Sequence, residues 1–248
     1  MVSILKLGGS VITYKDKPLA FNANIIEEIS KNLKQINKPL IIVHGGGSFG
    51  HYYSVKYDMH SKPDRYDIHG VSVVRTSMVE LNNYIVNIMV RYGLNPYTIP
   101  PISFMNGKDV IKNKVIEIAR LAEEGLLPIT HGDVMPIDDK MYYILSGDEI
   151  MSILASILKP DKIIFAINVD GIYNNMEERR LIRELSANDV LQLEDVKADV
   201  TGGMKRKLRE AFKIASNGLP VMLVNGLKPE RIVKALNDEP VICTMVKS

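Results

Sequence analysis

Short runs of strand-forming apolar residues recur along this chain, and longer stretches of helical spacing lie between them. The runs are Ile4–Leu7 (interrupted only by Lys6), Leu40–Val43, Leu127–Thr130, Ile163–Ile167 and Val221–Val224. Continuous rather than alternating apolarity is the mark of strands buried on both faces, as in a parallel sheet. The intervening stretches carry amphipathic stripes. Ile25, Ile26, Ile29, Leu33 and Ile36 form one, with Asn24 as its N-cap, and Val74, Met78, Leu81, Ile85 and Ile88 mark a longer helix that Gly93 can end. A third stripe of Ile150, Ile153, Leu154 and Ile157 follows Asp148 and closes at Lys159-Pro160. The fourth, from Met204 to Ala215, follows Gly202-Gly203 and ends before Gly218. Such alternation predicts an α/β fold with helices on both faces of a central, mostly parallel sheet. No Ser/Gly/Pro-rich linker and no solenoid repeat divides the 248 residues. They read as one domain of two lobes sharing a sheet, with a break near residue 160.

Composition then removes several function classes. Lys plus Arg number 31 against 29 Asp plus Glu, a formal net charge of +2. Bulk positive charge for nucleic-acid binding is therefore not expected. The single cysteine, Cys243, excludes an internal disulfide and a thiolate metal cluster, and fits a reducing compartment. No apolar run approaches the roughly 18 residues needed to span a bilayer, and no basic stretch precedes a long apolar one near Met1. A cytoplasmic protein with no membrane partner is the expectation.

Three glycine-bearing turns sit where the buried strands end or a helix opens. They are Lys6-Leu7-Gly8-Gly9-Ser10, then His44-Gly45-Gly46-Gly47-Ser48-Phe49-Gly50-His51, then Thr201-Gly202-Gly203-Met204. In open α/β sheets ligands bind beyond the carboxyl ends of the strands, and glycine lets backbone N–H groups come close to phosphate. An isolated Gly-Gly pair is usually only a tight turn, but three glycines followed by Ser-x-Gly-His are harder to explain that way. None matches a P-loop or the G-x-G-x-x-G dinucleotide spacing. His51 follows the longest glycine run, where a histidine can donate to a phosphate oxygen resting on backbone amides. His44 precedes it and reads as packed or supporting, and His60, His69 and His131 have no comparable setting. No His/Asp/Glu set has metal-ligand spacing, so no protein-built metal site is expected.

Taken together, Lys6-x-Gly8-Gly9-Ser10, His44-Gly45-Gly46-Gly47, Asn168-Val169-Asp170-Gly171-Ile172-Tyr173 and Asp199-Val200-Thr201-Gly202-Gly203-Met204-x-x-Lys207 resemble the amino acid kinase superfamily. These blocks run in order over nearly the whole chain. The stretch ending at Lys15, Ser48-Phe49-Gly50-His51, His69-Gly70-Val71 through Asn82, and His131-Gly132-Asp133 are similar to its isopentenyl phosphate kinases.

That resemblance implies a three-layer αβα fold, with an acceptor lobe at about 1–160 and an ATP lobe at about 161–248. It implies Lys6, Lys15 and His51 as catalytic residues. ATP would lie on Lys6, Gly8, Gly9, Ser10, Gly47, Asp148, Asp170, Gly171, Tyr173, Gly203 and Lys207, and the acceptor on Gly46, His51 and Gly132. The cofactors would be ATP with Mg²⁺, the partner a small isoprenoid monophosphate, and the assembly a homodimer.

The residues themselves support phosphoryl transfer, because such a site needs positive charge and N–H donors and little covalent chemistry. Asp148 has a second reading as a helix cap, and Asp170-Gly171 a second reading as a plain turn. No H-R-D-type base is present, which favours an acceptor that is already an anion. A phosphate monoester fits, as does a small phosphonate of the fosfomycin kinase type or a carboxylate. Val71, Val74, Met78 and Leu81 could wall a pocket for an apolar tail, or simply pack the core.

Overall fold

The computed structural model describes residues 1–14, 17–174, 180–186 and 202–248. The central sheet contains β1 (Ser3–Leu7), β2 (Leu40–His44), β3 (Pro96–Thr98), β4 (Leu127–His131), β5 (Lys162–Ile167), β6 (Glu184–Ser186), β7 (Val221–Asn225) and β8 (Cys243–Lys247). Their order is β6-β8-β7-β5-β1-β2-β4-β3. From β7 to β3 every neighbouring pair is parallel, and β8 runs antiparallel to β7 at one end.

Eight helices lie among the described residues: α1 (Gly9–Ile12), α2 (Ala23–Leu33), α3 (Gly47–Lys56), α4 (Ile68–Arg91), α5 (Lys112–Glu123), α6 (Gly147–Leu158), α7 (Gly202–Ala215) and α8 (Pro229–Leu236). Period-two alternation explains the continuous apolar runs, since successive residues of one strand face opposite layers. Ile4, Ile41 and Val43 pack with Val115, Ile150, Leu154, Leu208 and Phe212 of α5, α6 and α7. Leu5, Ile42 and Ile164 pack with Ile26, Ile29, Leu81, Ile85, Ile232 and Leu236 of α2, α4 and α8. Each such fully buried Leu or Ile contributes about 1.5–3 kcal/mol of hydrophobic free energy. The expected three-layer α/β arrangement is what the chain adopts. No helix of the described residues is long and apolar enough to cross a membrane.

Several details depart from the sequence reading. Asn22, not Asn24, caps α2, accepting from Ile25 N–H at 3.4 Å. Ser146, not Asp148, caps α6, accepting from Glu149 N–H at 3.1 Å, so the Asp148 carboxylate is released for another task. Ile36 lies beyond the end of α2. Strands β3, β6 and β8 and the hairpin Asp133–Pro136/Tyr142–Leu145 carry no run of the kind that marks the others. β3 is an edge strand that contains proline, and half of β8 is only partly buried, so neither needs a continuous apolar stretch.

Candidate active site

β1 and β2 end side by side, with Leu7 opposite His44, and each continues directly into a glycine turn. The two turns touch through backbone. A Cβ on Gly9 would lie 2.4 Å from Gly47 N, and one on Gly47, whose φ is +50°, would lie 2.1 Å from Thr13 Oγ1. Only glycine permits that contact. Gly46 is the N-cap of α3 and Gly47 its first residue. Their N–H groups have no intrahelical acceptor, and no backbone carbonyl of the described residues takes them. Two amides at a helix start are thus without a backbone acceptor, an arrangement chemically able to meet an anion. His51 lies one turn further along α3 and is exposed. Gly132, after β4, packs against the opening of α6, where a Cβ would come within 3.0 Å of Gly147 N. Gly203, in contrast, has no atom of the described residues within 4 Å of the place a Cβ would take.

The cationic part of the site follows from strand alternation. Lys6 shares the face of Ile4, which is the α6/α7 face, and its in-register neighbour on β5 is Phe165. Its ammonium therefore emerges between those helices. Lys6 Nζ pairs with Asp148 Oδ1. Lys207 Nζ, from the first turns of α7, donates to the same oxygen at 2.9 Å. Arg206 Nε reaches Asp148 Oδ2 at 3.6 Å. Both ammonium groups sit over the Phe165 ring, 5.8 and 5.5 Å from its centroid. Lys6, Asp148 and Lys207 are buried, at 3%, 3% and 9% exposure, so these charges act at low dielectric. One carboxylate thus fixes two lysines from distant segments in one place, beside the glycine turns.

The amino acid kinase family model matches residues 1–225. The chain belongs to that family. It is 35% identical over 236 residues to an isopentenyl phosphate kinase of Thermoplasma acidophilum, covering 92% of this chain and 94% of that protein. It is 32% identical over 256 residues to an isopentenyl phosphate kinase of Methanocaldococcus jannaschii, covering 96% of each. A crystal structure of an isopentenyl phosphate kinase substrate complex superposes with a TM-score of 0.81 at 31% identity, over 100% of both chains. The chain is a phosphotransferase of the amino acid kinase family, grouped with its isopentenyl phosphate kinases.

In this kinase, burial and then the neighbouring Lys207, against the pull of Asp148, bring Lys6 from lysine's usual 10.5 down to about 7. Burial alone would raise Asp148, but Lys6 and Lys207 outweigh it and hold the carboxyl well below the ordinary range. Lys6 therefore loses its charge as pH rises through neutrality. We expect kcat/KM for ATP to fall as pH rises from about 7, while kcat holds to higher pH. Parallel profiles of the two constants, or a flat kcat/KM up to pH 9, would remove Lys6 from ATP capture.

Of the residues expected from the sequence, Lys6, Gly8, Gly9, Ser10, Gly46, Gly47, Gly132, Asp148 and Lys207 gather around the ends of β1, β2 and β4. Ser10 Oγ donates to Asn168 Oδ1 at 3.2 Å, tying the first turn to the end of β5. Lys15 lies outside the described residues. Asp170 is engaged within the protein: Asn225 Nδ2 and Arg231 Nη1 each donate to its Oδ1 at 2.7 Å. The Asn225 hydrogen bond and the charge of Arg231 hold its carboxyl below the usual value. Gly171 meets Thr244, whose Oγ1 would be 2.4 Å from a Cβ, so close packing on β8 already accounts for glycine there. Tyr173 is half-buried in a two-residue strand beside it. Sequence reasoning missed Phe165, Arg206 and the Arg75–Asp133 ion pair. Asp133 is buried, and desolvation pushes its carboxyl up to about 6 despite Arg75. Long-range contacts bring these groups together, β5 pairing with β1, α7 meeting α6 and α4 meeting the strand after β4, so no local signal could have found them.

Proposed function

We propose that this kinase transfers the γ-phosphoryl group of ATP to isopentenyl phosphate, giving isopentenyl diphosphate and ADP. The observation that carries the reading is the pair of Gly46 and Gly47 amides without a backbone acceptor, with exposed His51 one turn on and, on the neighbouring strand, Lys6 buried together with Lys207 against Asp148. Lys6, Lys207 and the amides of Gly9 and Gly203 would neutralise the donor phosphates, with Ser10 and Gly8 beside them; the Gly8 N–H itself is held by the Ala166 carbonyl at 3.0 Å. Gly46, Gly47, Gly132 and His51 would hold the acceptor phosphate, and Lys15 would stabilise the group in transit. An acceptor phosphate oxygen is already anionic, so no residue has to remove a proton. Residues 1–160 would serve the acceptor, and 161–248 the nucleotide together with the β1 turn.

Among the described residues no three His, Cys, Asp or Glu side chains are grouped to hold a metal, and Asp148 is already engaged by two lysines. Mg²⁺ would supply charge neutralisation while riding on the nucleotide phosphates.

The tail follows α4. Met78 Sδ lies 3.1 Å from a Cβ position on Gly46, at the amides. One turn back comes Val74, in an apolar cluster with Met59 and Val134 that Tyr53, Tyr57, Val71 and Ile144 join. An apolar chain attached to a phosphate on the amides would run along this stripe. Val74 and Met78 are themselves buried, so a tail would meet the half-buried Tyr53, Tyr57, Val71 and Ile144 at the edge of this cluster.

His51 gives the test. His51→Ala is expected to raise KM for isopentenyl phosphate or lower kcat, for a loss of roughly ten- to a hundred-fold in kcat/KM, the worth of one charge-assisted hydrogen bond of about 1.5–3 kcal/mol. KM for ATP should hold. His51→Gln keeps a donor of different reach and should fall between. Steady-state kinetics with each substrate varied separately decides the matter. A loss confined to ATP would place the acceptor elsewhere, and equal turnover of fosfomycin would replace the isoprenoid assignment.

A further inference from the structure

β2 and β4 end on the same dipeptide, His44-Gly45 and His131-Gly132, and the two histidines are paired in register. Both imidazoles are buried, at 0% and 1% exposure, with ring centroids 5.1 Å apart. Each Nδ1 approaches the carbonyl oxygen of the glycine that follows it, at 3.1 Å for Gly45 and 3.0 Å for Gly132. Burial, then the neighbouring His131, pushes His44 down to about 3, and burial pushes His131 down as well. Both rings are therefore neutral, with one N–H each. A carbonyl oxygen can only accept, so that proton sits on Nδ1 in both. At the other end of His44, Nε2 lies 3.3 Å from Asn82 Oδ1. A half-turn of the Asn82 amide offers its NH₂ to that nitrogen, and a backbone carbonyl has no such freedom.

We propose that His44 and His131 are positioning residues that hold the Gly45 and Gly132 carbonyls turned into the protein, away from the acceptor's anion site. The inference rests on the reading of Gly46, Gly47 and Gly132 as that site. In a planar trans peptide the C=O and the next N–H point in opposite directions. Locking the Gly45 oxygen against a buried ring therefore directs the Gly46 N–H outward. Glycine peptides rotate easily, and an oxygen rotated into the pocket would repel a phosphate while withdrawing a donor. The paired histidines remove that alternative on two adjacent strands, at Gly132 by keeping the oxygen inward only, since the Gly132 N–H is itself held by the His44 carbonyl at 3.2 Å.

Asparagine carries its amide nitrogen close to where histidine carries Nδ1, whereas glutamine reaches nearer to Nε2. We expect His44→Asn to keep KM for isopentenyl phosphate within about threefold of the parent protein, and His44→Gln to raise it tenfold or more. KM for ATP should stay unchanged in both. Equal effects of Asn and Gln, or a fall in Tm with no change in acceptor KM, would overturn the proposal. Titration with inorganic phosphate, followed by the ¹⁵N–¹H shift of Gly46, reads the same amide without reference to the acceptor. The shift should survive in His44→Asn and vanish in His44→Gln. A parent protein that responds to phosphate but not to isopentenyl phosphate would sink the isoprenoid assignment and leave the positioning role standing. If the His44 variants do not fold, His131→Asn and His131→Gln make the same comparison, and identical acceptor KM values would overturn it.

Discussion

Lys6→Met and Lys207→Met are each expected to lower kcat/KM roughly 30- to 1,000-fold, the loss of about 2–4 kcal/mol that removal of one preorganised electrostatic donor produces. Both ammonium groups are buried beside the glycine turns and over the Phe165 ring, so water screens them little. Methionine keeps most of the aliphatic volume and suits an aromatic neighbour, so neither change opens a cavity. After Lys6→Met, Asp148 retains its 2.9 Å bond from Lys207, and no buried charge is left alone. Thermal unfolding should therefore move little while turnover collapses. Kinetics on protein shown by Tm to be folded tests the pair, and unchanged kcat/KM in both variants would end the phosphate-clamp assignment.

Asp148→Asn should act in the opposite order, on stability first. The carboxylate holds two buried lysines, and breaking a buried ion pair by deleting one partner typically costs about 3–5 kcal/mol. Asparagine preserves shape and removes the charge, leaving the buried Lys6 and Lys207 amines without their shared carboxylate. Urea unfolding of Asp148→Asn should show a loss of this size. Adding Lys6→Met should recover part of the stability, because one buried amine without its partner is then gone, and should recover none of the activity. If Asp148→Asn is as stable as the parent protein, or if the double variant regains turnover, the carboxylate does not organise these lysines.

Much of this site was legible in order along the chain. The glycines after β1 and β2 declared a place where two backbones and a ligand approach closely, and the contact between Gly9 and Gly47 is the physical form of that message. Lys6 was legible as a lysine interrupting a buried strand. Asp148 had two readings that the sequence could not separate, since a first-turn aspartate is also a natural cap. The position of Ser146 removes the cap reading, because its side chain takes the Glu149 N–H. Asp170 drew attention through its resemblance to nucleotide-binding positions, yet its carboxylate bonds Arg231 of α8 and Asn225 of β7, which a turn dipeptide does not reveal.

Local backbone demands are written locally, and so the sequence by itself determined the strands buried on two faces, the helices between them and the glycine turns at the strand ends. Charge and donor direction were decided only by tertiary structure. Lys6 and Asp148 are 142 residues apart, and Asp148 and Lys207 are 59 apart. Their shared oxygen exists because β1 lies between β2 and β5, beneath α6 and α7. The neutrality of His44 and His131 has the same origin: ordinary histidines by sequence, they are held uncharged by burial and by the register that pairs their strands. A side chain's period reveals which layer it enters, but its protonation depends on what the topology has already placed there.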